Sequence, residues 1–167
     1  GVCEWDTVKA NIEYMHHADG IEIFYIDHLT ALATGQGTDE RVELERITAA
    51  IAMLAKRLNV IITMVSHLAT PEGKPHEEGG RVTIRHFKGS RAIGFWCHFM
   101  FGLERNQQAE DLVERQTTTF RILKDRYTGQ STGMTIPLNY NHETGKLFQA
   151  NPFDVAPALV GGYDTPF

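Results

Sequence analysis

Two near-continuous apolar runs, residues 21–26 (IEIFYI) and 60–65 (VIITMV), bracket one long amphipathic stretch. Runs of this kind, without a clean alternation, fit strands covered on both faces, as in a parallel sheet. Between them Leu44, Ile47, Ile51, Leu54 and Leu58 recur at steps of three and four, which marks one face of a helix over 40–58. Thr38 and Asp39 are candidate caps at its start, and Asn59 ends it. Strand, helix and strand in this order make a right-handed βαβ unit, so the predicted class is α/β with a mostly parallel central sheet. In such sheets ligands bind beyond the carboxyl ends of the strands. Both runs deliver a polar side chain to that edge, Asp27 after the first and His67 after the second.

The rest of the chain fits around this unit. Residues 5–18 carry Val8, Ile12 and Met15 at helical spacing, and Asp19-Gly20 is a turn signal. Thr34–Asp39 is a Gly-rich loop. Residues 66–90 are rich in Gly, Pro, His, Glu and Lys and read as a long, mobile loop, a kind that is often functional. Residues 92–100 predict a short helix leading into a strand near 99–103, and 107–116 a polar loop. The β-branched stretch 117–127 (TTTFRILKDRY) reads as a strand. Residues 133–151 read as a β-hairpin closed by Asn141–Gly145. The domain is expected to span 1–153, with a flexible tail over 154–167.

Composition narrows the class. At 167 residues with 42% apolar content, the chain can bury one sizeable core. A net charge of -5 does not advertise a polyanion partner, though a local basic patch remains compatible with one. The two cysteines, Cys3 and Cys97, form no CxxC pair, so a reducing cytosol is expected and a disulfide framework is not. No apolar run reaches membrane-spanning length, and no signal peptide opens the chain. Gly1 is no natural initiator, so a fragment or a processed piece is expected. Eight histidines show no HExxH or related zinc spacing.

Four constellations carry chemistry. Asp27 after an apolar strand is the Walker B pattern, in which the carboxylate holds the Mg²⁺ of a nucleoside triphosphate through its water shell. A strand-ending Asp that caps a turn has the same signature. His67, at the same edge, suits contact with a γ-phosphate, or is simply a solvated loop residue. Lys124 and Arg126 flank Asp125 and so share one side of a strand end, where they suit a phosphate clamp or an arginine finger toward a neighbouring subunit, or two solvated charges. Lys74, His76, Arg81 and Lys88 put basic groups on the 69–90 loop, suited to a phosphate backbone but diluted by Glu72, Glu77 and Glu78. The phosphate loop G-x-x-x-x-G-K-[ST] that a Walker B strand needs is absent from the sequence: the Gly-Lys pairs at Gly73 and Gly145 continue with Pro and Leu.

Taken in order, these segments resemble the C-terminal part of the helicase domain of T-seven-type bacteriophage primase–helicases, RecA-like ring helicases related to DnaB and Twinkle. The likeness runs from about Ile21 to Leu147. IDHLTAL looks like the Walker B strand, and the stretch ending in VSHL like the one carrying a phosphate-sensing histidine. GKPHEEG resembles part of the DNA-binding loop, LERNQQ (103–108) a segment whose Arg105 lies near nucleotide, RILKDRYTGQSTG the Lys and arginine-finger segment, and NYNHETGKL the closing hairpin. The chain departs from the family where GSRAIGFWCH replaces GSGALRQLSD, putting Phe95 at a coupling glutamine and His98 at an aspartate.

The resemblance implies an incomplete RecA-like domain, without its Walker A part, from an NTP-dependent 5'-3' DNA helicase working with Mg²⁺ and ATP or dTTP. It further implies a hexamer of this chain on single-stranded DNA in the cytoplasm of an infected bacterium. The remaining N-terminal helicase/primase part is an implied partner, and a phage DNA polymerase is another, through the tail ending at Phe167. By itself the fragment is expected to be inactive. A RecA-like recombinase and a non-catalytic module of the same fold are the competing readings.

Overall fold

The structure, a computed structural model, describes residues 4–33 and 39–150. The Gly-rich loop predicted at Thr34–Asp39, but for Asp39, and the predicted tail 154–167 lie outside these residues. The described elements are α1 (Trp5–Asp19), β1 (Ile23–Ile26), α2 (Leu29–Ala33), α3 (Glu40–Leu58), β2 (Ile61–Met64), α4 (Ser90–Trp96), β3 (Phe99–Glu104), α5 (Leu112–Gln116), β4 (Thr118–Asp125), β5 (Thr135–Asn141) and β6 (Lys146–Gln149).

Helix α3 forms as its pattern predicts. The Asp39 carboxylate accepts the Arg41 backbone N–H at 2.9 Å, and Asn59 closes the helix in the left-handed region at φ 55°. Its face Leu44, Ile47, Ile51, Leu54 and Leu58 is buried. The core gathered on it takes Trp5 and Ile12 from α1, Phe24 from β1, Leu29 and Leu32 from α2, Ile93 from α4 and Met100 from β3.

Strands β1 and β2 pair in parallel, with Ile23 opposite Ile61 and Ile26 opposite Met64. The expectation of two covered faces is corrected here. Phe24 points into the core at 7% exposure, whereas Ile23 and Tyr25 stand in solvent at 52% and 79%. The buried side chains of α1, α2 and α3 join one core, on the Phe24 side of the pair. A second sheet runs β3-β4-β5-β6 and is antiparallel throughout, so among the described residues antiparallel strands outnumber the parallel pair. Its β3 repeats the one-sided burial: Met100 is buried, while Phe99, Phe101 and Leu103 are exposed.

Two local readings are corrected as well. Residues 107–116 do not stay a loop: α5 starts there because the Asp111 carboxylate accepts the Glu114 N–H at 2.8 Å, a cap that the DLVE stretch encodes. The segment 66–90 is a folded excursion rather than a free loop. Ala69 N–H bonds the His86 carbonyl, Lys88 N–H the His67 carbonyl, and Gln107 N–H the Glu77 carbonyl. Gly80 turns so tightly that a Cβ there would fall 2.2 Å from the Lys74 carbonyl oxygen. Val82 is buried, and its N–H donates to Glu104 Oε1 at 2.8 Å.

Glu104 therefore joins three segments. Arg121 on β4 meets its carboxylate with two donors, at 2.7 and 2.9 Å. Burial pushes the Glu104 carboxyl up, but the bonds from Arg121 and the Val82 N–H outweigh it and leave the group below the ordinary glutamate value. Changing Glu104→Ala strands a buried guanidinium and a buried N–H, and is expected to cost about 3–5 kcal/mol of stability in urea unfolding. A Glu104→Leu, Arg121→Met double variant should recover most of that loss. Equal losses in single and double variants would refute the pairing as the cause.

Candidate functional site

The parallel register brings the ends of β1 and β2 side by side. Val65 N–H donates to the Ile26 carbonyl at 2.9 Å, and Leu29 N–H to the Val65 carbonyl at 2.8 Å. Asp27 and His67 thus leave the sheet at one edge, and both are exposed. The peptide between Asp27 and His28 is cis. The ring of His28 lies against that of His67, with centroids 4.0 Å apart and planes 34° from parallel. The buried Thr30 hydroxyl sits 2.7 Å from His28 Nδ1 and 3.4 Å from His67 Nδ1. Sequence reasoning picked out Asp27 and His67 but passed over His28 and Thr30. The only available signal was two polar residues in the DHLT stretch.

Lys124 and Arg126 do share one side, as their spacing predicts. Both turn to the last turn of α4: Lys124 Nζ donates to the Gly94 carbonyl, and Arg126 to the Phe95 carbonyl. Cations at a helix C-terminus complement its dipole. Burial pushes the Lys124 amine down, the positive charge of Arg126 adds to this, and Cys97 opposes it. The same burial pushes the Cys97 thiol up. The two departures from the helicase pattern sit close by. Phe95 is exposed, and His98 stacks on Tyr127 at 5.5 Å with planes 9° apart.

The turn that carries Arg126 is held by Asp125, a residue whose role went unread in the sequence. Its Oδ1 accepts the N–H groups of Tyr127 and Thr128 at 3.0 and 3.1 Å. Its Oδ2 accepts the hydroxyls of Thr128 and Ser131 at 2.5 and 2.9 Å. The D-x-x-T spacing is an Asx-type signal that could have shown this. These donors, the Thr128 hydroxyl first, hold the Asp125 carboxyl far below the usual carboxylate range.

The basic loop residues divide. Lys74, Arg81 and Lys88 are exposed. His76 is half-buried against His86, with ring centroids 5.0 Å apart. Arg105 is exposed and donates to the Arg115 carbonyl at the end of α5, at 2.8 Å. Lys74 and Arg105 line one cleft of about 400 Å³ together with Asn106 and Glu114. That cleft does not include Asp27 or His67.

The described residues hold no group of three or more His, Cys, Asp or Glu side chains placed to bind a metal ion. A lone exposed Asp27 suits Mg²⁺, which keeps much of its water shell and takes one or two carboxylates beside substrate phosphates. No described helix is long and apolar enough to cross a membrane.

This is an α/β arrangement of RecA-like type, and comparison with solved structures shows the same fold. One solved helicase-type ATPase domain superposes with a TM-score of 0.71 at 16% identity, over 89% of this chain and 52% of that one. A DnaB-like replicative helicase, solved with its interactions with primase, gives 0.67 at 16% identity, over 86% and 35%. In sequence the chain is 35% identical over 148 residues to the DNA helicase/primase of Enterobacteria phage T3. It is thus a relative of the phage helicase/primase proteins. The match takes in 86% of this chain and a quarter (25%) of that protein's length. No protein-family model matches the chain.

The Asp125 bonds give a signed pH effect. Its folded value lies below the unfolded one, about 3.9. Its stabilisation is complete above that value and is lost as pH falls through the folded value. Between about pH 4 and pH 2, stability should fall less steeply in Asp125→Asn than in the unaltered chain, as read by acid titration of urea midpoints. Parallel slopes would remove Asp125 as a source of acid sensitivity.

Proposed function

We propose that the chain is the C-terminal portion of the helicase domain of a replicative DNA helicase. The complete protein would hydrolyse ATP or dTTP with Mg²⁺ and move 5'-3' along single-stranded DNA as a ring hexamer. The observation that carries this reading is the pairing of Asp27 and His67 at the carboxyl edge of two registered parallel strands, in a chain with a phage helicase/primase relative.

Each residue has a role in this proposal. Asp27 orients the water shell of Mg²⁺, which supplies charge neutralisation to the phosphates when bound. His67 reports on the γ-phosphate position. Lys124 and Arg126 serve the nucleotide of the adjacent subunit, so that each must exchange an α4 carbonyl for a phosphate oxygen. Arg126 keeps further guanidinium donors for this. Arg105 lies in the cleft with Lys74, and Lys74, Arg81 and Lys88 face the DNA backbone, with His76 steadying their loop. A phage DNA polymerase would meet the C-terminal tail.

The exposed apolar faces of β1–β2 and β3 support a further part of the domain, one that covers them and brings the phosphate loop. Large apolar groups such as Tyr25, Ile61 and Leu103 are rarely left in solvent together without a partner surface. The helicase/primase part absent from this chain is that partner.

In the assembled protein, Asp27→Ala and His67→Ala should each abolish most phosphate release. Arg126→Ala should lower kcat about 10³-fold, the lower end of the effect of an arginine finger. The 167-residue chain alone should release no phosphate from ATP or dTTP. Normal hydrolysis by the Asp27→Ala protein would falsify its role.

A further inference from the structure

His28 and Thr30 follow Asp27 in the loop after β1 and have no part in the reading above, yet both touch His67. The protons in this group can be counted. The Ala31 backbone N–H reaches His28 Nδ1 at 3.2 Å, sharing itself with the His28 carbonyl at 3.1 Å. An amide only donates, so His28 Nδ1 is a bare acceptor, and its neutral ring carries the proton on Nε2. The 2.7 Å contact between His28 Nδ1 and Thr30 then uses the hydroxyl proton. A hydroxyl has one proton, so toward His67, at 3.4 Å, Thr30 Oγ1 offers only a lone pair. His67 Nδ1 therefore carries the hydrogen that fills this longer arm.

We infer that His28 and Thr30 form a relay that holds His67 in its Nδ1–H tautomer, leaving Nε2 as a hydrogen-bond acceptor. Both are positioning residues, acting on His67 and on no substrate. Thr30 is buried and fixes the line between the two rings, while the exposed His67 presents its outer nitrogen. Nε2 then accepts and does not donate. His67 meets an anionic phosphate oxygen through a water, which gives one proton to Nε2 and the other to the phosphate. This consequence rests on the nucleotide reading of His67; the tautomer itself does not.

The test is a long-range ¹H–¹⁵N correlation spectrum of the histidine-labelled chain without nucleotide. It is taken near pH 8.5, about two units above the ordinary histidine value. His67→Gln assigns the signals. The expected spectrum gives His67 a protonated Nδ1 and a bare Nε2, with the reverse in His28. In Thr30→Val, which keeps the shape and removes the hydroxyl, the two His67 nitrogen shifts should move toward each other. Thr30→Ser should restore them. An Nε2–H His67 in the unaltered chain overturns the relay, and so does an unchanged pattern in Thr30→Val. Should Thr30→Val fail to fold, the unaltered spectrum and Thr30→Ser still decide. Because no nucleotide is present, failure here is distinct from failure of the hydrolysis reading, which phosphate release tests.

Discussion

Burial of the apolar face of α3 is the contact on which the other elements are arranged. Ile47, fully buried at its middle, and Leu44, Ile51, Leu54 and Leu58 beside it receive side chains from α1, α2, α4, β1 and β3. Each such side chain contributes about 1.5–3 kcal/mol when removed from water, far more than any surface charge pair in the molecule. The location of the chemistry follows from this packing. With α3 fixed against one side of β1 and β2, the strand ends carrying Asp27 and His67 are aligned, and α2 is pulled under the loop that holds His28 and Thr30.

Polar groups then set the finer geometry, and they do so by bonding to backbone as much as to each other. Glu104 ties the 66–90 excursion to β3 and β4. Asp125 winds the turn after β4 around its two oxygens. The α4 carbonyls hold Lys124 and Arg126. These are modest anchors, since a neutral hydrogen bond is worth about 1 kcal/mol net. An anchor of that strength positions a side chain and still lets it exchange partners when a phosphate arrives.

The faces left bare matter as much as those that are covered. A strand with Phe24 inside and Tyr25 outside buries only one of its surfaces, although its composition is apolar on both. The same is true of β3, where Met100 is buried and Phe99, Phe101 and Leu103 are not. That the fold aligns with 52% of the solved ATPase-domain chain agrees with a sheet described here in part.

The sequence by itself determined the α/β class, the span and both ends of α3, the pairing of apolar strands around it, the closing hairpin, and Asp27 and His67 at one edge. These features are written in local periodicity and in caps, which need no knowledge of distant residues. Tertiary structure alone decided the rest. Apolar composition cannot say which neighbour covers a strand, so the one-sided burial of β1 went unread. A Gly- and Pro-rich stretch looks mobile until a distant carboxylate, Glu104, takes its Val82 N–H. Thr30 lies 37 residues from His67 in the chain, and Lys124 lies 30 from Gly94. Contacts of that separation depend on the packing of α3 and on which way each side chain turns, and neither leaves a period or a motif to read.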